Sequence, residues 1–78
     1  MKNLSATIQG KDAIGIVNEI ESRTHIWREM ENIEIESNGE GVYLLRFTTY
    51  HTVLSWQKAI DYDLRHKSVR MLVQHANI

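Results

Sequence analysis

The chain has 78 residues, nine basic and ten acidic, with four histidines, no cysteine and a net charge of −1. That length fits a single domain over 1–78 with a limited core, and the missing cysteines exclude disulfides, thiol catalysis and Cys-based zinc sites. The near-neutral balance lacks the basic excess of nucleic-acid binders, no apolar run is long enough to span a membrane, and the opening MKNLSATIQG has no signal-peptide core, so the expected location is cytoplasmic and neither nucleic acid nor membrane is an expected partner.

Lys2 to Gln9 alternates, with Leu4, Ala6 and Ile8 against Asn3, Ser5, Thr7 and Gln9. This is the period of a strand with one buried face. Gly10 ends it. Asp12 is placed to cap a helix, its carboxylate accepting from the free amides of the first turn. Ala13, Val17, Ile20, Thr24 and Trp27 then recur at helical spacing, with Ile16 and Met30 beside them. The helix is expected from Asp12 to about Arg23, with Met30 as its outer limit. Gly15 costs roughly 1 kcal/mol inside a helix. It is expected to let the helix start sit close to the sheet, and it also fits approach to a ligand.

Ile33 and Ile35 alternate with Glu34 and Glu36, Asn38-Gly39 is a strong tight-turn pair, and Val42 to Thr49 is rich in β-branched and aromatic residues. This is a β-hairpin. A two-residue turn at Asn38-Gly39 sets Ile35 opposite Val42 and leaves Tyr43, Leu45 and Phe47 on the glutamate face. A three-residue turn with Gly41 at a bulge joins Tyr43, Leu45 and Phe47 to the isoleucines instead. One residue of slip flips every side chain, and the residues alone leave both registers open. In either, the strand is apolar on both faces, as in a central strand whose second face is also covered.

Thr49 or Thr52 can cap a second helix with Val53, Trp56, Ile60 and Leu64 as its buried stripe. Arg65, His66 and Lys67 are expected in its last turn, where cations complement the helix dipole. Ser68 to His75 alternates again, with Val69, Met71 and Val73 on one side. The order β-α-β-β-α-β predicts an α+β fold, the ferredoxin-like α/β plait, with two helices on one face of a four-stranded antiparallel sheet.

Gly10-Lys11-Asp12-Ala13-Ile14-Gly15-Ile16-Val17 resembles the first strand-to-helix turn of ACT domains, small regulatory plaits with a Gly-x-Asp-x-x-Gly run there. Asn32-Ile33 resembles the Asn-Ile that often opens their second strand. Ile14 stands where those domains often have proline, and THIWREME at Thr24 to Glu31 replaces their short glycine-containing turn. The resemblance implies a regulatory module that pairs with a copy of itself and binds an amino acid or similar small ligand near Asp12, Ala13, Ile14 and Gly15.

Signals for catalysis are weak. His25, His51, His66 and His75 have no two members at the short spacing of a ready-made metal site, so neither metal nor cofactor is expected. Asp61 and Asp63 are two apart on a helix and face different ways. Trp56, Tyr62 and His66 imitate the histidine-plus-aromatic sites of some dimeric plait enzymes, but a buried tryptophan is the simpler reading. Glu29, Glu31, Glu34 and Glu36 read as the solvated side of an edge strand. Tyr43 and Phe47 have the spacing of an RNA-stacking pair on an open sheet face, against which the adjacent glutamates argue. The expected protein is therefore not an enzyme. It is a binding module whose partner is itself as a homodimer, another protein, or both, with Val42, Tyr43, Leu44, Leu45 and Phe47 as interface candidates: either Val42 and Leu44, or Tyr43, Leu45 and Phe47. The alternative is a small inhibitor or adaptor, of phage or mobile-element type, that docks on a host protein.

Overall fold

The chain forms β1 (Lys2–Gln9), α1 (Ala13–Ser22), a 3-10 segment (His25–Glu29), β2 (Glu31–Ser37), β3 (Val42–Thr49), α2 (Val53–Asp63) and β4 (Arg70–His75). This computed structural model describes residues 1–76. The strands make one antiparallel sheet in the order β2-β3-β1-β4. That is the expected plait. Leu4, Ala6 and Ile8 stand opposite Phe47, Leu45 and Tyr43, with Met71 and Val73 on the same face of β4. Ala13, Ile16, Val17 and Ile20 of α1 and Trp56 and Ile60 of α2 join them in one buried cluster. Both helices therefore cover the same face, and the other face is open.

The hairpin takes the wider register. Ile35 faces Leu45 and Ser37 faces Tyr43 across a Gly39-Glu40-Gly41 loop. Both loop glycines have a φ of +81°, which a side chain disfavours. The Asn38 carboxamide oxygen accepts from the amides of Glu40 at 2.8 Å and Val42 at 3.3 Å, fastening the loop from inside. This register puts Tyr43, Leu45 and Phe47 under the helices with Ile33 and Ile35. Leu45 and Phe47 are buried and Tyr43 is half-buried. They are thus core residues rather than interface candidates, and they form no stacking platform on the open face. Of the candidate interface, Val42 and Leu44 remain open to a partner.

Near its start, β2 carries a bulge. Glu31 pairs with Thr48 and Glu34 with Arg46, so Asn32 and Ile33 together oppose Phe47. Asn32 takes the left-handed φ of 52°, and its side-chain amide donates to the Thr48 hydroxyl at 2.8 Å. A bulge of this kind needs a left-handed residue, and asparagine tolerates one.

The first helix is shorter than its apolar period. It stops at Ser22, and Arg23 adopts a left-handed φ of 55°. The amides of Arg23 and Thr24 fold back on the carbonyls of Ile20 and Glu19, the double closure that ends many helices. The Arg23 guanidinium donates to the carbonyls of Arg28 and Met30 and holds the chain in its new direction. Thr24 is exposed, and Trp27 reaches the core from the 3-10 segment rather than from a third helical turn. Its indole N–H donates to the Glu19 carboxylate at 3.3 Å.

Asp12 holds the N-cap position but makes no side-chain cap bond. Its carboxylate accepts instead from the Ser68 amide at 2.7 Å, while its own amide donates to the Ser68 carbonyl at 2.9 Å. It ties the start of α1 to the entrance of β4. Thr52 is the cap of α2, accepting from the Ser55 amide at 3.0 Å. That helix ends at Asp63, one turn before Arg65, His66 and Lys67, which lie in the following loop.

Gly15 does not pack closely on anything. A methyl group there has no neighbour within 4 Å. Gly15→Ala is therefore expected to raise stability by about 0.5–1 kcal/mol, the helix-interior preference of alanine. Urea denaturation checks this, and a loss of stability contradicts the open surroundings of the site.

Candidate functional site

Three regions bear on function. The first is the open sheet face. Pairing sets Glu36, Leu44, Thr7 and Leu72 in one row across it. Glu34, Arg46, Ser5 and Gln74 make the next row, and Val42, Gln9 and Arg70 another. Val42 and Leu44 are half-buried, and Leu72 is 54% exposed. Three aliphatic side chains thus interrupt a surface of small polar and charged groups, and no helix covers them. Glu31, Glu34 and Glu36 are all exposed along the β2 edge, as the acidic run leads one to expect.

The second region is the first turn. Asp12, Ile14, Gly15 and Glu19 line a depression of about 430 Å³ together with Lys11, His66 and Lys67. The last two arrive from the loop after α2, which sequence spacing does not reveal. Of the four residues the ACT resemblance points to, Ala13 is buried in the core and Ile14 is 54% exposed. Asp12 is engaged by Ser68, and Gly15 offers bare helix surface. The depression carries three side chains that are cationic or able to become so, against two carboxylates. It is a shallow site of mixed charge, suited to a small zwitterion or carboxylate.

The third region is a cleft of about 570 Å³ between the 3-10 segment and α2, lined among others by His25, Ile26, Arg28, His51, Ser55 and Asp63. Trp56 and His51, which line it, belong to an aromatic cluster that continues into the core. Trp27 and Trp56 lie parallel with centroids 6.4 Å apart, Phe47 meets Trp56 edge-on at 5.5 Å, and His51 does so at 6.1 Å. The Trp56 indole N–H donates to the buried Thr49 hydroxyl at 2.9 Å. At the rim, His51 Nε2 lies 3.2 Å from a Glu29 carboxylate oxygen, with both side chains about half exposed. Solvent screens such a pair, which contributes little to stability. No local period in the sequence points to this cleft, because its walls come from segments far apart in the chain.

The residues that imitate a plait enzyme site do not converge. Trp56 is in the core, whereas Tyr62 is 69% exposed with the Arg65 guanidinium 3.9 Å above its ring. His66 lies at the first-turn depression. Among the described residues no three His, Asp or Glu side chains gather as a metal-holding group, and no helix is long and apolar enough to cross a membrane.

Fold and surfaces together define the class: an α+β plait of ferredoxin-like topology with one face left open. Comparison with known protein families, characterised proteins and solved structures found no match to this chain.

Proposed function

We propose that this chain is a non-enzymatic binding module, an ACT-like plait that pairs with a second copy of itself through the open face of its sheet. The observation that carries this reading is a group of three aliphatic side chains on the face that no helix covers, Val42 and Leu44 side by side on β3 and Leu72 across Thr7 on β4. Apolar groups left on an exposed flat surface mark interfaces. A two-fold contact of the surface with itself is the commonest closed solution. The small core of a short chain without disulfides gains stability from such pairing.

Light scattering at micromolar concentration tests this. The expected mass is twice the 9.1 kDa of one chain. Leu44→Glu is expected to give a folded monomer, because it sets two buried carboxylates against each other at the contact. Leu45→Glu belongs to a different class, since Leu45 is fully buried and its replacement threatens the fold itself. A wild-type monomer refutes self-pairing and favours the adaptor reading, in which the same face docks on another protein. A dimer that survives Leu44→Glu places the interface elsewhere.

The same proposal includes a small ligand of amino-acid type at the first-turn depression. Its support is the pair of lysines beside Gly15, a glycine with no packing reason to be one. In a thermal-shift screen against the amino acids, one that binds only the folded state raises the melting point. A flat screen removes the ligand and leaves the pairing intact.

A further inference from the structure

The sheet has two edges, β2 and β4. An edge strand offers a row of free amides and carbonyls to any extended chain. β2 carries its own obstacles, the bulge at Asn32 and Ile33 and the exposed Glu31, Glu34 and Glu36. β4 has none of these. Arg70–His75 contains no proline and no carboxylate, and its pairing with β1 runs without a bulge. Beside it lies a depression of about 320 Å³ lined in part by Ile60, Leu64, Val69 and Met71. Such an edge suits the addition of a strand.

One side chain stands in the way. Pairing with β1 turns the main-chain groups of Arg70, Leu72 and Gln74 inward and those of Met71, Val73 and His75 outward. Gln57, half-buried on α2, reaches that outer row. Its Nε2 donates to the Met71 carbonyl at 2.9 Å, and its Oε1 accepts from the Val73 amide at 2.9 Å. The second hydrogen on Nε2 goes to the Asp61 carboxylate, one helical turn along, at 3.0 Å. Exchanging the carboxamide oxygen and nitrogen loses all three bonds, so the group is held in one orientation. It fills two neighbouring positions in the middle of the strand.

We propose that Gln57 keeps the β4 edge closed to strand addition, its carboxamide holding the main-chain groups that the β4 strand of a second copy takes once it is removed. With β2 obstructed, β4 on β4 is the edge pairing that remains. A two-fold axis runs the two strands antiparallel. Centred on Val73, this pairing bonds every outward group from Met71 to His75. It sets Leu72 beside the copy's Gln74 and keeps Arg70 away from its own copy, so no like charges oppose it. This edge is separate from the open face, and its closure holds whether or not the copies meet there.

Amide exchange followed by NMR, together with sedimentation, tests the closure. In the native chain the Val73 amide is expected to exchange about tenfold more slowly than the Met71 amide, the outward neighbour that Gln57 leaves unbonded. Gln57→Ala, and Gln57→Met with a similar volume and no hydrogen bond, are expected to erase that difference in dilute solution. As concentration rises, both variants are expected to reach twice the mass of the parent species, with the Met71, Val73 and His75 amides slowing together. Because the mass is read against the parent, a native monomer and a native dimer through the open face serve equally well. Equal exchange at Val73 and Met71 in the native chain overturns the proposal. So does a variant that keeps the parent's mass, or one that gains mass while its Met71 and His75 amides still exchange fast. Unfolding of both variants overturns it too, because the contact is then a support of the fold and not a guard of its edge.

Discussion

Trp56→Ala is expected to destabilise the fold by about 3–5 kcal/mol, the range for deleting a buried large aromatic. A chain of 78 residues has roughly 4–12 kcal/mol in total, so the variant is expected to be marginal or unfolded at 37 °C. The magnitude follows from what the indole touches. It is 3% exposed, stacks on Trp27, receives the edge of Phe47 and donates its N–H to Thr49. Truncation leaves a cavity against the 3-10 segment and β3 and removes the donor from a hydroxyl that is 1% exposed. Trp56→Phe keeps much of the ring packing and separates the two contributions. Its expected cost is about 1–3 kcal/mol, including the lost hydrogen bond. Urea midpoints at one fixed protein concentration give both values, since pairing makes stability depend on concentration. A Trp56→Ala protein within 1 kcal/mol of wild type refutes the central place of the aromatic cluster.

Gly10→Ala is expected to cost about 2–4 kcal/mol, combining left-handed strain with a steric clash. Gly10 has a φ of +124°, and a methyl group there comes within 2.7 Å of the Ser68 carbonyl oxygen and 2.9 Å of the Val69 Cα. Both neighbours are backbone. They have little freedom to retreat, because Asp12 and Ser68 are joined by two hydrogen bonds in opposite directions. The same substitution at Gly15 has the opposite expected sign. Parallel denaturation of the two alanine variants therefore reads the local geometry of one short motif twice. Equal effects at the two sites contradict the distinction. Within the Gly-x-Asp-x-x-Gly run, the first glycine and the aspartate thus have structural duties at the closure of β1 onto β4. The second glycine has no such duty, since a methyl group there meets nothing.

The residues that carry the fold were legible where a period or a local bond decides the outcome. Alternation placed β1 and β4 because Leu4, Ala6 and Ile8, and then Met71 and Val73, needed one dry face. Helical spacing found Trp56 and Ile60, and Thr52 capped its helix by a bond three residues long. The end of α1 was legible only as a choice between about Arg23, where the helix does stop, and Met30. No glycine or proline marks it, and the apolar period runs on through Trp27. What stops the helix is an arginine in the left-handed region whose guanidinium binds carbonyls five and seven residues ahead. Asp12 misled for a related reason. It is a good cap by type, but a backbone amide 56 residues away offered its carboxylate a 2.7 Å bond.

By itself, then, the order of residues determined the element sequence, the plait and one buried stripe in each helix, because these depend on periods that local geometry imposes. Tertiary structure decided the hairpin register, and with it the candidate interface. Residue types allowed Val42 and Leu44, or Tyr43, Leu45 and Phe47, to face outward with equal ease. Packing broke the tie: Leu45 and Phe47 fit opposite Ala6 and Leu4 beneath the helices, and Asn38 secured a three-residue loop that sustains that register. It also brought His66 and Lys67 to Gly15, and the 3-10 segment to α2. Contacts between residues so distant in the chain leave no trace in any local period.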